Sequence, residues 1–210
     1  MLRYEKKSIT ADDTIFHQPT YSPLQKQLNQ LFLSNKEVNA KLTFSSQSES
    51  ERREIPIHTN IVNLKTDWFA AALDRWSEDG KECSMYDEPY DLMLRCIRFI
   101  YIGTIYLENE VHLPMSDLVA ICSLADKYFI EGLYEHVEQH VMEVMNVDNV
   151  IEACKYLVMH SMEEDNKRGK LYKFCQEFLQ HNHTLINVNS LPNDEGTACL
   201  LKFMWNNSRR

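Results

Sequence analysis

Glycine is scarce in this sequence, with only 5 in 210 residues. Phosphate-cradling loops and glycine-rich folds depend on the freedom of that residue at positive φ, and no Walker A, Rossmann or GxSxG pattern occurs. The six cysteines, Cys83, Cys96, Cys122, Cys154, Cys175 and Cys199, are widely spaced and form no CxxC pair. That spacing excludes a dense disulfide scaffold. Most of them fall in apolar, helix-like stretches, where a free thiol behaves as a small hydrophobe. Long apolar runs are missing too: no stretch approaches the roughly 20 residues that span a bilayer. The polar start MLRYEKKSITADD has no apolar core of the kind a secretion leader needs. The expectation is a cytoplasmic and/or nuclear protein with no membrane partner. Basic clusters are also lacking. The longest are Arg52-Arg53, Lys167-Arg168 and Arg209-Arg210, in a chain where 31 acids face 22 bases. Nucleic-acid backbones are held by clustered cations, so no nucleic-acid partner is expected.

What is present is an ordinary globular balance, 44% hydrophobic and 25% charged, which argues against disorder throughout. Residues 1–20 carry no period and read as a flexible arm. From Ser22-Pro23 a helix start is followed by Leu24, Leu28, Leu31 and Phe32 at helical spacing, which predicts an amphipathic helix over 23–34. Ala40, Leu42 and Phe44 alternate, as do Ile55 and Ile57. These read as two half-buried strands joined by the polar loop SSQSESERR. The spacing of Ile61, Leu64, Trp68 and Ala72 predicts one helix over 60–76. A short strand is expected near Cys83–Met85, then helices over 90–102, 116–128, 131–145, 148–160 and 170–181. One more apolar stretch runs from Cys199 to Trp205. The order of elements is α+β, a small sheet covered by a helical cluster.

Four segments in this order resemble a BTB/POZ domain. In HTNIVNLKTDWF, His58, Val62, Thr66 and Phe69 match the family pattern, while Thr59 stands where Lys is usual. In RFIYIGTIYL, Phe99, Ile100, Tyr101 and Gly103 match, with Ile102 in place of Thr. LADKYFIEGL matches at Ala125, Asp126, Lys127, Tyr128, Ile130 and Leu133. DEPYDLML is similar to an acidic-Pro segment found especially in fungal members. Upstream, PLQKQLNQL resembles the N-terminal helix of long-form members, and NAKLTF a family strand with Asn39 in place of Asp. Downstream, NVIEACKY and LYKFCQEFLQHN are similar to the start of a BACK-type extension.

The resemblance implies a BTB/POZ fold over 21–145, with its dimerisation helix, and a partial BACK-like helical extension over 146–210. His58, Phe69, Tyr101, Gly103, Asp126 and Tyr128 would be fold-motif positions. It also implies a homodimer whose interface draws on Leu24, Leu28, Leu31, Phe32, Ala40 and Leu42. The functional expectation is an adaptor, joining a client protein of unspecified identity to a cullin-3 ubiquitin ligase or another protein scaffold. The partner-binding candidates are Met115, Asp117, Leu118 and Tyr128. Counting back from Tyr128, Leu118-Val119-Ala120 lacks the Glu of the usual cullin-contact triplet. The alternative is an oligomerisation scaffold, in transcription or other assemblies, without a ligase role.

Read from the residues alone, His58 is a partly buried imidazole satisfied by a backbone carbonyl. Asp126 and Lys127 face outward or cap their neighbours. His136 and His140 share a helix face at zinc-compatible spacing, but HVEQH is not HExxH. His181-Asn182-His183, Glu163-Glu164, Glu138 and Glu143 read as surface. No nucleophile–base pair emerges. The chain is expected to be no enzyme and to hold no metal or cofactor.

Overall fold

The computed structural model describes residues 21–45, 52–76, 81–107, 110, 112–160 and 169–182. The expected arm over 1–20, the loop centre after Ser45, Glu163-Glu164, His183, Cys199 and the last apolar stretch lie outside the described residues.

The alternation of apolar residues gives a three-stranded sheet of β1 (Ala40–Ser45), β2 (Arg53–Ile57) and β3 (Glu82–Tyr86), in the order β2-β1-β3. β1 runs antiparallel to β2, with Leu42 opposite Ile55, and parallel to β3, with Leu42 opposite Cys83. Ala40, Leu42, Phe44, Ile55, Ile57, Cys83 and Met85 are all buried. The other face carries charge: Lys41 Nζ pairs with Glu54 at 2.7 Å and Glu82 at 3.6 Å, and Arg52 joins both acids.

Eight helices accompany the sheet among the described residues: α1 (Pro23–Ser34), α2 (Thr59–Val62), α3 (Asp67–Trp76), α4 (Tyr90–Ile102), α5 (Met115–Lys127), α6 (Leu133–Val144), α7 (Val150–His160) and α8 (Gly169–Asn182). This is the α+β class expected, and it is compatible with a BTB-like fold. α1 starts with a full capping box. Ser22 Oγ accepts from the Gln25 N–H at 3.2 Å, and Gln25 Oε1 accepts from the Ser22 N–H at 2.9 Å, with Pro23 in the first turn. α4 ends at Gly103, where φ is +74°. A Cβ there would meet only the Gln25 amide, at 3.9 Å. It is therefore the left-handed backbone, not space, that calls for glycine.

One expected helix is divided. The stretch 60–76 breaks between α2 and α3, and Leu64, placed on its apolar face, is 78% exposed. Long-range bonds take the backbone there. The Lys65 carbonyl accepts from the Glu131 N–H at 2.9 Å, and Thr66 Oγ1 donates to the Tyr128 carbonyl at 2.7 Å. These tie the loop between α2 and α3 to the end of α5.

Candidate interaction surface

α1 lies on the C-terminal half of α4. Gln25 Nε2 donates to the Ile102 carbonyl at 2.9 Å, and the rings of Phe32 and Tyr101 meet at 5.1 Å between centroids. Leu28 and Phe32 pack on the core, whereas Leu24 is 63% and Leu33 55% exposed. Leu31 is half-buried. No residue of α1 is fully buried. The helix therefore uses one side for its own domain and leaves leucines uncovered on both flanks, Leu24 with Leu31 on one and Leu33, about half a turn round, on the other. Ala40 and Leu42, grouped with the interface candidates, are interior. Their side chains are closed off within the chain's own sheet and offer no outer surface.

The link following α1 is fixed by His58. Its Nε2 lies 2.7 Å from the Lys36 carbonyl and its Nδ1 2.8 Å from Tyr101 Oη, which also accepts from the His58 N–H at 2.8 Å. A carbonyl only accepts, so Nε2 carries the proton and Tyr101 donates to Nδ1. The carbonyl partner expected for His58 is thus found, and Tyr101 is the second anchor. Phe69 is fully buried, its ring stacked on Tyr128 at 5.7 Å.

Asn39 and Thr59, two of the departures from the family pattern, prove to be partners. Asn39 Nδ2 donates to Thr59 Oγ1 at 2.8 Å, and the Thr59 N–H donates to Asn39 Oδ1 at 2.9 Å. A neutral reciprocal pair stands where the family pattern places an acid and a lysine. Each change leaves the other side chain satisfied, and neither residue carries a charge.

The partner-binding candidates near α5 separate in the same way. Met115, Leu118 and Tyr128 are buried, and only Asp117 is half-exposed. Tyr128 packs on Trp68 and Phe69 and donates its hydroxyl to Glu88 Oε1 at 2.7 Å. Side chains so placed hold the fold and cannot form an interface without opening it. Lys127 is exposed and pairs with Glu88; Asp126 is half-buried.

Sequence reasoning missed a second apolar feature. Phe129, at φ +50°, is 67% exposed. It lies beside the loop of exposed Leu64, through the same bonds that join 65–66 to 128–131. A bulky residue in the left-handed region is uncommon, and nothing in the LADKY match marks it. Glu138, read as surface, is buried. It accepts from the Leu171 N–H at 3.2 Å and lies 3.7 Å from Lys170 Nζ, so it caps the start of α8. Glu143 is exposed as expected.

His136 is exposed and His140 partly buried on α6. His136 meets the Phe99 ring at 5.2 Å, and His140 Nε2 is hydrogen-bonded to Tyr106 Oη. Burial holds both imidazoles below their ordinary range. Among the described residues no group of three metal-ligating side chains gathers. His181 and Asn182 bond carbonyls of their own helix, at Glu177 and Phe178. Burial pushes the Cys83 thiol up to about 11 and the Cys122 thiol up to about 12, which leaves both as poor nucleophiles. No described helix is long and apolar enough to cross a membrane.

No family model matches the chain. It is similar to two curated proteins of Caenorhabditis elegans. Identity with BTB and MATH domain-containing protein 40 is 25% over 137 residues, covering 64% of this chain and 32% of that protein. Identity with protein maternal effect lethal 26 is 27% over 125 residues, covering 56% of this chain and 29% of that protein. The chain thus spans about a third of the length of the curated relatives it matches. These similarities, with the α+β fold, point to a BTB-like chain and to a protein-interaction module as the general class of function.

Proposed function

We propose that the chain is a homodimerising adaptor in which the flank of α1 carrying Leu24 and Leu31 meets the same flank of a second copy. The observation that carries this reading is the uncovered leucine flank of a helix with no fully buried residue: Leu24 exposed, with Leu31 half-buried beside it. Covering a largely exposed leucine contributes about 1–2 kcal/mol, and a twofold contact uses each one twice. The similarity to a protein named for BTB and MATH domains supports the adaptor role, here toward a cullin-3 ligase scaffold and a client protein. The proposed setting is the cytoplasm or nucleus. A net charge of -9 speaks against nucleic acid as the partner.

A second reading, an oligomerisation scaffold without a ligase role, is favoured by two observations. Met115 and Leu118 are interior, and the Asn39–Thr59 pair is uncharged.

Light scattering on the full chain, joined to a titration with an N-terminal cullin-3 fragment, separates these readings. A dimer that binds the fragment supports the adaptor. A dimer that does not bind at tens of micromolar leaves the scaffold, and a monomer at micromolar concentration overturns both. Leu24→Asp with Leu31→Asp should halve the mass; an unchanged mass would remove α1 from the interface.

A further inference from the structure

The two outer edges of the sheet differ. The Lys41 N–H donates to the Lys81 carbonyl at 2.8 Å, so the odd residues of β1 turn their backbone groups toward β3 and the even ones toward β2. In β2 the backbone groups of Glu54 and Pro56 therefore point outward, and in β3 those of Glu82, Ser84 and Tyr86. Pro56 has no N–H, and its ring obstructs an incoming strand, so the β2 edge is closed to pairing. β3 holds no proline, no lysine and no bulge.

Among the described residues no strand pairs with the outer edge of β3, and Ser84 and Tyr86 make no backbone bond beyond the β1 ladder. Ser84 is exposed and Tyr86 is 70% exposed. An edge of this kind is a template for another strand, and this one is complementary to itself. Laid antiparallel about a twofold axis at Ser84, it brings every outward residue into a hydrogen-bonded pair: Ser84 with Ser84, and Glu82 with Tyr86 in both directions. A slip of two residues either way loses one of these pairs. No like charges face each other in this register, and Lys81 falls opposite Asp87 of the second copy beyond each end.

We propose that the outer edge of β3 is a second contact between copies of this chain, joining their sheets into one continuous sheet through antiparallel β3 strands. Three residues from each copy make a small contact, so it fills only well above micromolar concentration. It lies apart from α1 and stands whether or not α1 holds a dimer. Where both contacts form, dimers are linked into larger assemblies.

The test is light scattering on the full chain from micromolar to millimolar concentration. The wild-type mass should at least double over that range, and it should do so too in the chain carrying Leu24→Asp and Leu31→Asp. Loss of the α1 contact is thereby seen apart from loss of this one. Ser84→Lys, which sets two ammonium groups face to face at the axis, should abolish the growth. A wild-type mass that stays constant, or equal growth in Ser84→Lys, overturns the proposal. Cross-linking gives a second measurement. Paired residues at the axis have Cα atoms about 5.5 Å apart, within reach of a disulfide. Ser84→Cys treated with oxidised glutathione should therefore be trapped as a covalent dimer, and Glu54→Cys on the β2 edge should not. Equal trapping of the two variants, or none at Ser84→Cys, refutes the contact.

Discussion

Helices α1 and α5 are nearly equal in length and each begins at a proline, yet α5 contributes eight buried residues and α1 none. α5 is apolar around most of its circumference and passes through the interior as a pillar. α1 is apolar on more than one side and has only one side covered. Of the positions that resemble a partner-contact motif, Met115 and Leu118 support the core and Asp117 is half-exposed, while Leu24 and Leu33 of α1 remain outside the core. Apolar character alone does not separate a core from an interface. The separation comes from how many neighbours surround a helix.

The sharpest way to break this contrast is to truncate a leucine on each helix. Leu118→Ala should destabilise the chain by about 2–5 kcal/mol. Leu24→Ala should change the stability of one chain by no more than about 0.5 kcal/mol. Urea denaturation of both variants checks it, and comparable losses would place α1 in the core.

A smaller effect is expected at the junction with α8. Glu138→Ala removes a buried acceptor from the Leu171 N–H and should cost about 1–3 kcal/mol. Hydrogen exchange should accelerate in α8 before α5. Uniform acceleration would mean that α8 unfolds only with the rest.

The pH dependence should be milder. Burial lowers the folded pKa of His136 and His140, with Glu143 acting against it in both and His112 adding to it at His140. As pH falls below the unfolded value of about 6.5, the unfolded chain takes up these protons first. Stability present above that value is therefore lost on acidification, down to the folded pKa. Denaturation at pH 7.5 and 5.5 should show the loss, and His140→Gln should reduce it. An unchanged pH response would remove His140 from its cause.

The smallest effect should be at Asn39 and Thr59. A double-mutant cycle with Asn39→Ala and Thr59→Ala should give a coupling of about 0.5–1 kcal/mol. A coupling of zero would mean that the two side chains act separately.

Much of the fold is legible in the sequence because it rests on local pattern. The alternation at 40, 42 and 44 defines β1, Ser22-Pro23 with Gln25 opens α1, and Gly103 closes α4. What is not legible depends on residues far apart in the chain. The break after α2 needs bonds from 65–66 to 128–131, and the burial of Glu138 needs the start of α8 to arrive beside α6. The candidate site divides along the same line. The leucine period of α1 is local, but which of those leucines its own domain covers is decided by α4. The Asn39–Thr59 partnership, visible in sequence only as two separate departures, likewise appears once β1 and α2 are brought together.

The mixed pairing of β1 sets an order of assembly. Its antiparallel neighbour follows through one loop, whereas its parallel neighbour, β3, comes only after α2 and α3. Contacts between distant segments form slowly, because loop closure costs entropy before they repay it. During synthesis the β1–β2 hairpin should therefore stand for a time with one edge of β1 unpaired. That interval, rather than the finished domain, is when the chain is most exposed to mispairing with a neighbouring copy.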